Sequence, residues 1–127
     1  MVGILLVSHS ETMVRGLGEL LAQIGSDEVP IRAVGGTVDG DLGTNADGVE
    51  TALGELSASD GVVVIPDLGS AVLTVKTVMS ALDTEGVVLV DAPFVEGAVA
   101  AAVTAASGAS LDAVVQAARE ARDVPKF

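Results

Sequence analysis

Short aliphatic runs alternate with segments of helical spacing along the whole chain, and this alternation restricts the fold more than any other feature. Because at least three of the runs are almost continuously apolar, they are typical of parallel strands covered on both faces. The predicted strands are Val2–Val7, Pro30–Val34, Gly61–Pro66 and Gly86–Val90. The predicted helices are Glu11–Ile24, Asn45–Ser57, Ser70–Leu82, Glu96–Ala106 and Ser110–Arg122. Since parallel crossovers are right-handed, this order predicts an α/β fold, with a doubly wound, mainly four-stranded parallel sheet and helices on both faces.

The length of 127 residues predicts one domain, residues 1–127, and a hydrophobic content of 50% is enough for a sizeable core. The chain has no cysteine, which excludes thiol chemistry and cysteine-ligated metal centres. The first apolar run is too short to span a bilayer, and no basic segment precedes it. We therefore expect a cytoplasmic protein that does not enter the membrane. The alanine-rich stretch Ala98–Ala106 predicts close helix packing or a dimer interface.

The chain is strongly acidic, with 18 Asp and Glu against 6 Lys and Arg and a net charge of −12. This charge argues against binding to nucleic acid or to an anionic membrane, and it predicts partners with basic surfaces. Phe94 and Phe127 are the only aromatic residues, so stacking on sugars or bases is nearly unavailable.

The same acidity suggests a hypothesis about habitat, namely adaptation to a cytoplasm of high salt. Surface carboxylates that outnumber the basic groups repel one another at low ionic strength, and salt screens that repulsion. We expect the melting temperature to rise between low and molar salt, as measured by differential scanning calorimetry. A melting temperature that is indifferent to salt would remove the hypothesis.

Polar residues follow each predicted strand at the edge of the sheet where α/β proteins place their ligands. The first strand is followed by Ser8-His9-Ser10, which contains the only histidine. The second strand is followed by Gly35-Gly36-Thr37 and then Gly43-Thr44-Asn45, and the third ends in Pro66-Asp67-Leu68-Gly69-Ser70. One imidazole, one carboxylate and several hydroxyl groups should therefore converge.

This set of residues suits phosphoryl transfer through histidine. His9 can be the nucleophile, while Asp67 can accept a hydrogen bond from its second ring nitrogen and so fix the tautomer. Backbone N–H groups at the helix starts after Ser10, Thr44 and Gly69 can bind a phosphate, together with the hydroxyls of Ser10, Thr44 and Ser70. The arrangement requires no metal.

Each of these residues also has a purely structural interpretation. His9 can be a structural histidine, and Asp67 can be a turn or capping residue. Thr44 and Ser70 are predicted helix N-caps under either interpretation. The Gly35-Gly36 pair fits no nucleotide-binding fingerprint and predicts a turn. A further group of residues resembles a calcium loop but fails the EF-hand spacing and predicts a solvated acidic loop: Asp39, Asp41, Asn45 and Asp47.

Four runs in order resemble the phosphotransfer subunits of phosphoenolpyruvate-dependent dihydroxyacetone kinase, which are related to mannose-type IIA domains. The resemblance covers nearly the whole chain. The runs are Gly3-Ile4-Leu5-Leu6-Val7-Ser8-His9-Ser10, Gly35-Gly36-Thr37-Val38-Asp39-Gly40-Asp41-Leu42-Gly43-Thr44, Pro66-Asp67-Leu68-Gly69-Ser70-Ala71 and Val95-Glu96-Gly97-Ala98.

The resemblance implies a mannose-type IIA fold and a phosphotransferase activity. The phosphocarrier HPr would pass a phosphoryl group, derived from phosphoenolpyruvate, to His9. His9 would pass it to ADP on the nucleotide-binding kinase subunit, and a further subunit would bind dihydroxyacetone. The resemblance also implies that Asp67 pairs with His9, that Thr44 and Ser70 line the site, that no cofactor is bound directly, and that the protein is a homodimer.

The chain departs from the family pattern at two places. It has Gly43-Thr44-Asn45 where Gly-Thr-Ser is expected, and Val72-Leu73-Thr74 where Arg-Met-Asn is expected. Because His9 and Asp67 are present, these departures bear on docking contacts and partner preference more than on phosphotransfer.

Three alternatives remain open at this point. A mannose-type IIA domain for sugar uptake would share the fold and the histidine chemistry. A receiver-like signalling domain would be phosphorylated on Asp67, although Glu11 alone does not supply the acidic pair that holds magnesium in receivers. A binding or scaffold module would carry out no chemistry.

Overall fold

The computed structural model describes residues 1–37, 39, 41 and 43–127, and every predicted strand and helix is present in it with small shifts at the ends. The strands are β1 (Gly3–Ser8), β2 (Ile31–Gly35), β3 (Val62–Pro66) and β4 (Val87–Leu89). The helices are α1 (Glu11–Ile24), α2 (Ala46–Glu55), α3 (Gly69–Ser80), α4 (Phe94–Ala106) and α5 (Leu111–Glu120), and a short 3₁₀ helix follows at Ala121–Asp123. The α/β prediction is thereby confirmed.

The four strands form one parallel sheet in the order β2-β1-β3-β4. All residues of β1 and β3 are buried, which explains why both segments are apolar except at Ser8, the last residue of β1. From β1 the chain crosses to β2 at one edge of the sheet, and from β3 it crosses to β4 at the other edge. The topological switch point therefore lies between the carboxyl ends of β1 and β3, where this class of fold forms its binding crevice.

Helices cover both faces of the sheet and produce two hydrophobic cores. Ile4 and Leu6 point toward the core that is completed by α1, α4 and α5. Leu5 and Val7, which alternate with them, point toward the core that is completed by α2 and α3. This alternation is the period-two geometry of a strand, and it confirms the doubly wound arrangement.

The alanine-rich helix α4 packs inside the molecule. Four of its alanines are completely buried in the first core, where small side chains allow α4 to approach α5 and the sheet closely. These alanines are Ala98, Ala101, Ala102 and Ala105. The packing role predicted for this stretch is thus observed. Within the described residues, no helix combines the length and apolarity needed to cross a membrane.

Gly35 is a position where the fold leaves no room for a side chain. A Cβ atom there would lie 2.7 Å from the Ser10 carbonyl oxygen and 2.7 Å from Val14 Cγ1. We expect Gly35→Ala to lower the free energy of unfolding by about 1–3 kcal/mol, since α1 must move away from β2. Urea denaturation would measure this loss.

Gly16→Ala is the matched control, because Gly16 lies in α1 and an added Cβ there meets no atom within 4 Å. Alanine is a better helix former than glycine, so this variant should gain about 0.5–1 kcal/mol. Equal effects of the two substitutions would contradict the close approach of α1 to Gly35.

Candidate phosphotransfer site

His9 and Asp67 meet at the switch point of the sheet. His9 directly follows β1, Asp67 directly follows β3, and the register of the two strands pairs Val7 with Pro66. The Asp67 N–H also donates a hydrogen bond of 3.0 Å to the Val7 carbonyl. The two residues predicted to be central are therefore held next to each other by the central strands.

The Asp67 carboxylate accepts hydrogen bonds from the backbone around His9. Its Oδ2 atom accepts from the Ser8 hydroxyl at 2.7 Å and from the His9 backbone N–H at 3.1 Å. Its Oδ1 atom accepts from the Leu68 N–H at 2.6 Å. These contacts fix the start of the loop after β1 and the start of the loop after β3, because N–H groups just beyond a strand need acceptors.

This geometry differs from the predicted bond between the carboxylate and the histidine ring. In the part of the chain that the structure describes, Asp67 accepts no hydrogen bond from the imidazole. The His9 Nδ1 atom instead lies 3.3 Å from the Ser70 hydroxyl, in the first turn of α3. Asp67 thus bonds to the backbone of His9, while Ser70 contacts its ring.

Thr44 reaches the same region through the loop before α2. The Gly43 N–H donates to the His9 carbonyl at 2.9 Å, which ties this loop to the histidine. The Thr44 hydroxyl is buried and has no hydrogen-bond partner among the described residues. A buried hydroxyl without a partner is costly, so it indicates a position where a polar ligand atom would be favourable.

Three helices begin near the site, and their caps differ from the prediction. Ser10 caps α1 by accepting from the Met13 N–H at 3.3 Å, and Asn45 caps α2 by accepting from the Gly48 N–H at 3.0 Å. Thr44 and Ser70 are not N-caps, and their prediction as such was wrong. The cap position of α3 is Leu68, which supplies no side-chain acceptor. The first-turn N–H groups of α3, including those of Gly69 and Ser70, therefore remain available to an anion.

Ser8 is the residue that sequence reasoning missed. It is completely buried, and its hydroxyl bonds both to Asp67 and to the Ser10 N–H. The available signal was a single polar residue at the end of an otherwise apolar strand. Such a residue is either at the surface or bonded to other buried polar groups.

The acidic loop before α2 lies partly outside the described residues. Val38, Gly40 and Leu42, which belong to the second of the four family-like runs, are among those not described. Within the described residues, no group of three or more His, Asp or Glu side chains could hold a metal ion.

Two cavities differ in their relation to His9. One of about 430 Å³ lies between the carboxyl ends of β3 and β4 and is lined by Asp67, Lys76 and Asp91 among others. A larger one of about 630 Å³ lies at the opposite edge of the sheet, lined in part by Leu56 and Gly86. Only the smaller cavity adjoins the site, so size does not identify the functional position here.

Comparison with known proteins places the chain in a family. The EIIA-man family model, described as the PTS system fructose IIA component, matches residues 3–115. The phosphoryl donor subunit DhaM of PEP-dependent dihydroxyacetone kinase 2 from Listeria innocua is 40% identical over 119 residues, which are 91% of this chain and 95% of that protein. The phosphotransferase subunit DhaM of a PTS-dependent dihydroxyacetone kinase from Lactococcus lactis is 33% identical, over 88% of this chain and 89% of that protein.

Some relatives are much longer than this chain. The phosphoryl donor subunit DhaM of Escherichia coli is 40% identical over 121 residues, which are 91% of this chain but 26% of that protein. A solved structure of the protein EF1359, described as being of unknown function, has a TM-score of 0.82 and 33% identity and is matched over 94% of both chains. These matches confirm the resemblance that the four runs carried. The chain belongs to the EIIA-man family and, within that family, to the group of DhaM phosphoryl donor subunits.

Proposed function

We propose that this protein is a phosphohistidine carrier, which accepts a phosphoryl group from HPr on His9 and passes it to ADP bound on the nucleotide-binding subunit of dihydroxyacetone kinase. The observation that carries the proposal is the setting of the only histidine. His9 lies at the switch point of the sheet, and its Nδ1 atom contacts the Ser70 hydroxyl. Among the described residues its Nε2 atom has no hydrogen-bond partner. The names of the relatives support the kinase as the destination of the phosphoryl group.

We infer that Nε2 is the nitrogen that reacts, because the Ser70 hydroxyl lies 3.3 Å from Nδ1. When Nδ1–H donates to the Ser70 oxygen, the lone pair of the ring lies on Nε2. This lone pair attacks phosphorus, and a bond forms between Nε2 and phosphorus. The bond between phosphorus and the donor histidine of HPr breaks, and its electron pair returns to that ring. In the second transfer a terminal phosphate oxygen of ADP attacks the same phosphorus, and the electron pair returns to Nε2.

Several groups can stabilise the phosphoryl oxygens during these transfers. The first-turn N–H groups of α3 lie at a helix N-terminus, where the dipole favours negative charge. The hydroxyls of Ser10 and Thr44 can add neutral donors. Ser10 accepts a hydrogen bond through its oxygen at the α1 cap, so its O–H remains free to donate. This set, with Gly69 and Ser70, needs no metal ion to bind the group.

Thr44→Val tests the phosphate-binding role of an unpartnered hydroxyl. Because valine has nearly the same shape and removes a buried polar group without a partner, we expect the free energy of unfolding to rise by about 1 kcal/mol. We expect phosphoryl uptake to slow by about tenfold, since one donor to the phosphoryl oxygens is lost. Urea denaturation and the uptake rate measured by intact mass would check both results. A variant that is stabilised but takes up phosphate at the wild-type rate would exclude Thr44 from the site.

The proposal also concerns partners and assembly. HPr and the kinase subunit must approach an acidic protein, so steered docking through basic surfaces should weaken with salt. We also propose a homodimer, in which a second copy would cover the edge strand β4, which pairs with β3 alone among the strands of the described residues. Both transfers would take place in the cytoplasm. Sedimentation equilibrium would test the dimer.

The proposed function is tested by following the phosphoryl group through both steps. The protein is first incubated with phosphoenolpyruvate, enzyme I and HPr, and its intact mass is measured. The ADP-loaded kinase subunit is then added, and ATP is assayed. We expect the mass to increase by one acid-labile phosphoryl group, which is then lost as ATP appears. Phosphorylation that discharges only to a sugar transporter component would favour the sugar-uptake alternative, and the absence of any mass gain would overturn the proposal.

A further inference from the structure

We infer that Ser8 is a positioning residue for phosphoryl transfer, because its hydroxyl joins the Asp67 carboxylate to the start of α1 and so fixes the backbone of His9. The inference rests on the proposed function. Ser8 does not contact the histidine ring or the reacting atoms in this assignment. It acts through the residues on either side of His9 and through Asp67.

The burial of Ser8 is the first observation. Among the described residues it is the one polar residue that is buried, with an exposed fraction of 0%. The rest of β1 is Gly-Ile-Leu-Leu-Val. A hydroxyl in such surroundings destabilises the fold unless its hydrogen bonds are made. A valine or alanine would complete the apolar strand without this requirement, so the position needs another reason for a serine.

The two hydrogen bonds of the hydroxyl supply that reason. Ser8 Oγ donates to Asp67 Oδ2 at 2.7 Å and accepts from the Ser10 N–H at 2.9 Å. Ser10 is the N-cap of α1, so the hydroxyl links the end of β1, the start of α1 and the loop after β3. Three elements of the sheet edge are thus joined at one buried oxygen.

His9 lies at the centre of this link. Its backbone N–H donates to the same Asp67 oxygen at 3.1 Å, and its carbonyl accepts from the Gly43 N–H at 2.9 Å. Without the Ser8 hydroxyl, the Ser10 N–H loses its acceptor and the carboxylate loses its shortest contact near His9. The carboxylate can then turn, and the His9 ring is no longer held at its position beside Ser70. Displacements of about 1 Å can cost as much as 100-fold in rate.

Ser59 provides a matched control for a purely structural role. Its hydroxyl donates to the carbonyls of Leu56 at 2.6 Å and Gly61 at 3.0 Å, and it is partly buried. It lies at the opposite edge of the sheet, where the chain enters β3. Ser59→Ala therefore removes a partly buried hydroxyl that also makes two contacts, but far from His9.

The experiment measures the rate of phosphoryl uptake from phosphorylated HPr, at increasing HPr concentration, for wild type, S8A, S8T and S59A. We expect S8A to reduce the rate at saturating HPr by about tenfold with little change in the half-saturating concentration. S59A should retain the wild-type rate. S8T keeps the hydroxyl and should recover most of the rate lost in S8A. Melting temperatures establish that each variant is folded.

Measuring S8A in a protein that also carries a substitution at Asp67 keeps the test decisive if the methyl group of threonine does not fit at position 8. Because Ser8 acts through Asp67, S8A should add little further loss of rate in a D67A protein, whose side chain offers no acceptor to the Ser8 hydroxyl. Equal rates for wild type and S8A, or equal slowing in S8A and S59A, would overturn the inference while leaving the carrier function standing. Additive losses in the D67A background would also overturn it. If the wild type accepts no phosphoryl group at all, the proposed function itself fails, and the two failures are thereby distinguished.

Discussion

Replacing His9 with alanine is expected to abolish phosphoryl uptake. No other histidine is present, and carboxylates or hydroxyls do not accept a phosphoryl group from HPr at comparable energy without activation. His9 is half-buried in a loop between β1 and α1, and its ring contacts only the Ser70 hydroxyl among hydrogen-bonding groups that the structure describes. We therefore expect H9A to fold normally, with a free energy of unfolding within about 0.5 kcal/mol of the wild type. Intact mass after incubation with phosphoenolpyruvate, enzyme I and HPr would show the phosphoryl group on the wild type alone.

The chemical stability of the bound phosphate is the control for this result. A phosphohistidine is labile in acid and stable in alkali, whereas the acyl phosphate of a receiver-like domain is hydrolysed in alkali. H9A that still gains an alkali-labile phosphate would assign the acceptor to Asp67 and would contradict the carrier mechanism.

The strands were the most predictable part of the fold. β1 and β3 are buried on both faces, so every position is aliphatic or small until Ser8, and no helical pattern competes with them. The order of strands and helices then leaves the doubly wound sheet as the natural solution. The convergence of His9 and Asp67 at one edge follows from the same order. The doubly wound sheet and the convergence of these two residues were accordingly predicted from the sequence.

The contacts within the site were less predictable, because several residues compete for the same role. Thr44 and Asn45 are adjacent and both suit an N-cap, and only the conformation of the loop selects Asn45. Ser70 follows Asp67 closely enough to cap α3, but Asp67 bonds the Leu68 N–H and the helix begins at Gly69. Sequence spacing places such residues in the same loop. It does not specify which hydrogen bond each of them makes.

The role of Asp67 shows the same limit. The sequence places a carboxylate beside a histidine, and a ring-to-carboxylate bond is the usual consequence. The observed carboxylate instead accepts hydrogen bonds from the backbone N–H groups of His9 and Leu68 and from the buried Ser8 hydroxyl. These donors cannot be identified from side-chain identities alone, because two of the three belong to the backbone.

Asp67→Ala is expected to slow phosphoryl uptake by about 100-fold and to leave the fold intact. The substitution removes the acceptor of three hydrogen bonds, so His9 is no longer fixed between β1 and β3. The free energy of unfolding should fall by about 1–3 kcal/mol, since the Ser8 hydroxyl and backbone N–H groups lose their partner. Stopped-flow or quench-flow uptake from phosphorylated HPr, with urea denaturation alongside, would measure both quantities. An uptake rate equal to that of the wild type would exclude the orienting role.

Asp67→Asn separates the two ways in which the carboxylate can act. Asparagine retains an oxygen that can accept from Ser8 and from the His9 N–H, but it has no negative charge. If Asp67 acts through the backbone of His9, as its hydrogen bonds indicate, D67N should keep its uptake rate within about tenfold of the wild type. If the carboxylate stabilises positive charge on the ring, the loss of charge alone should be as damaging as D67A. A D67N rate equal to that of D67A would therefore reassign Asp67 to the ring, whereas an intermediate rate would support the role through the backbone of His9.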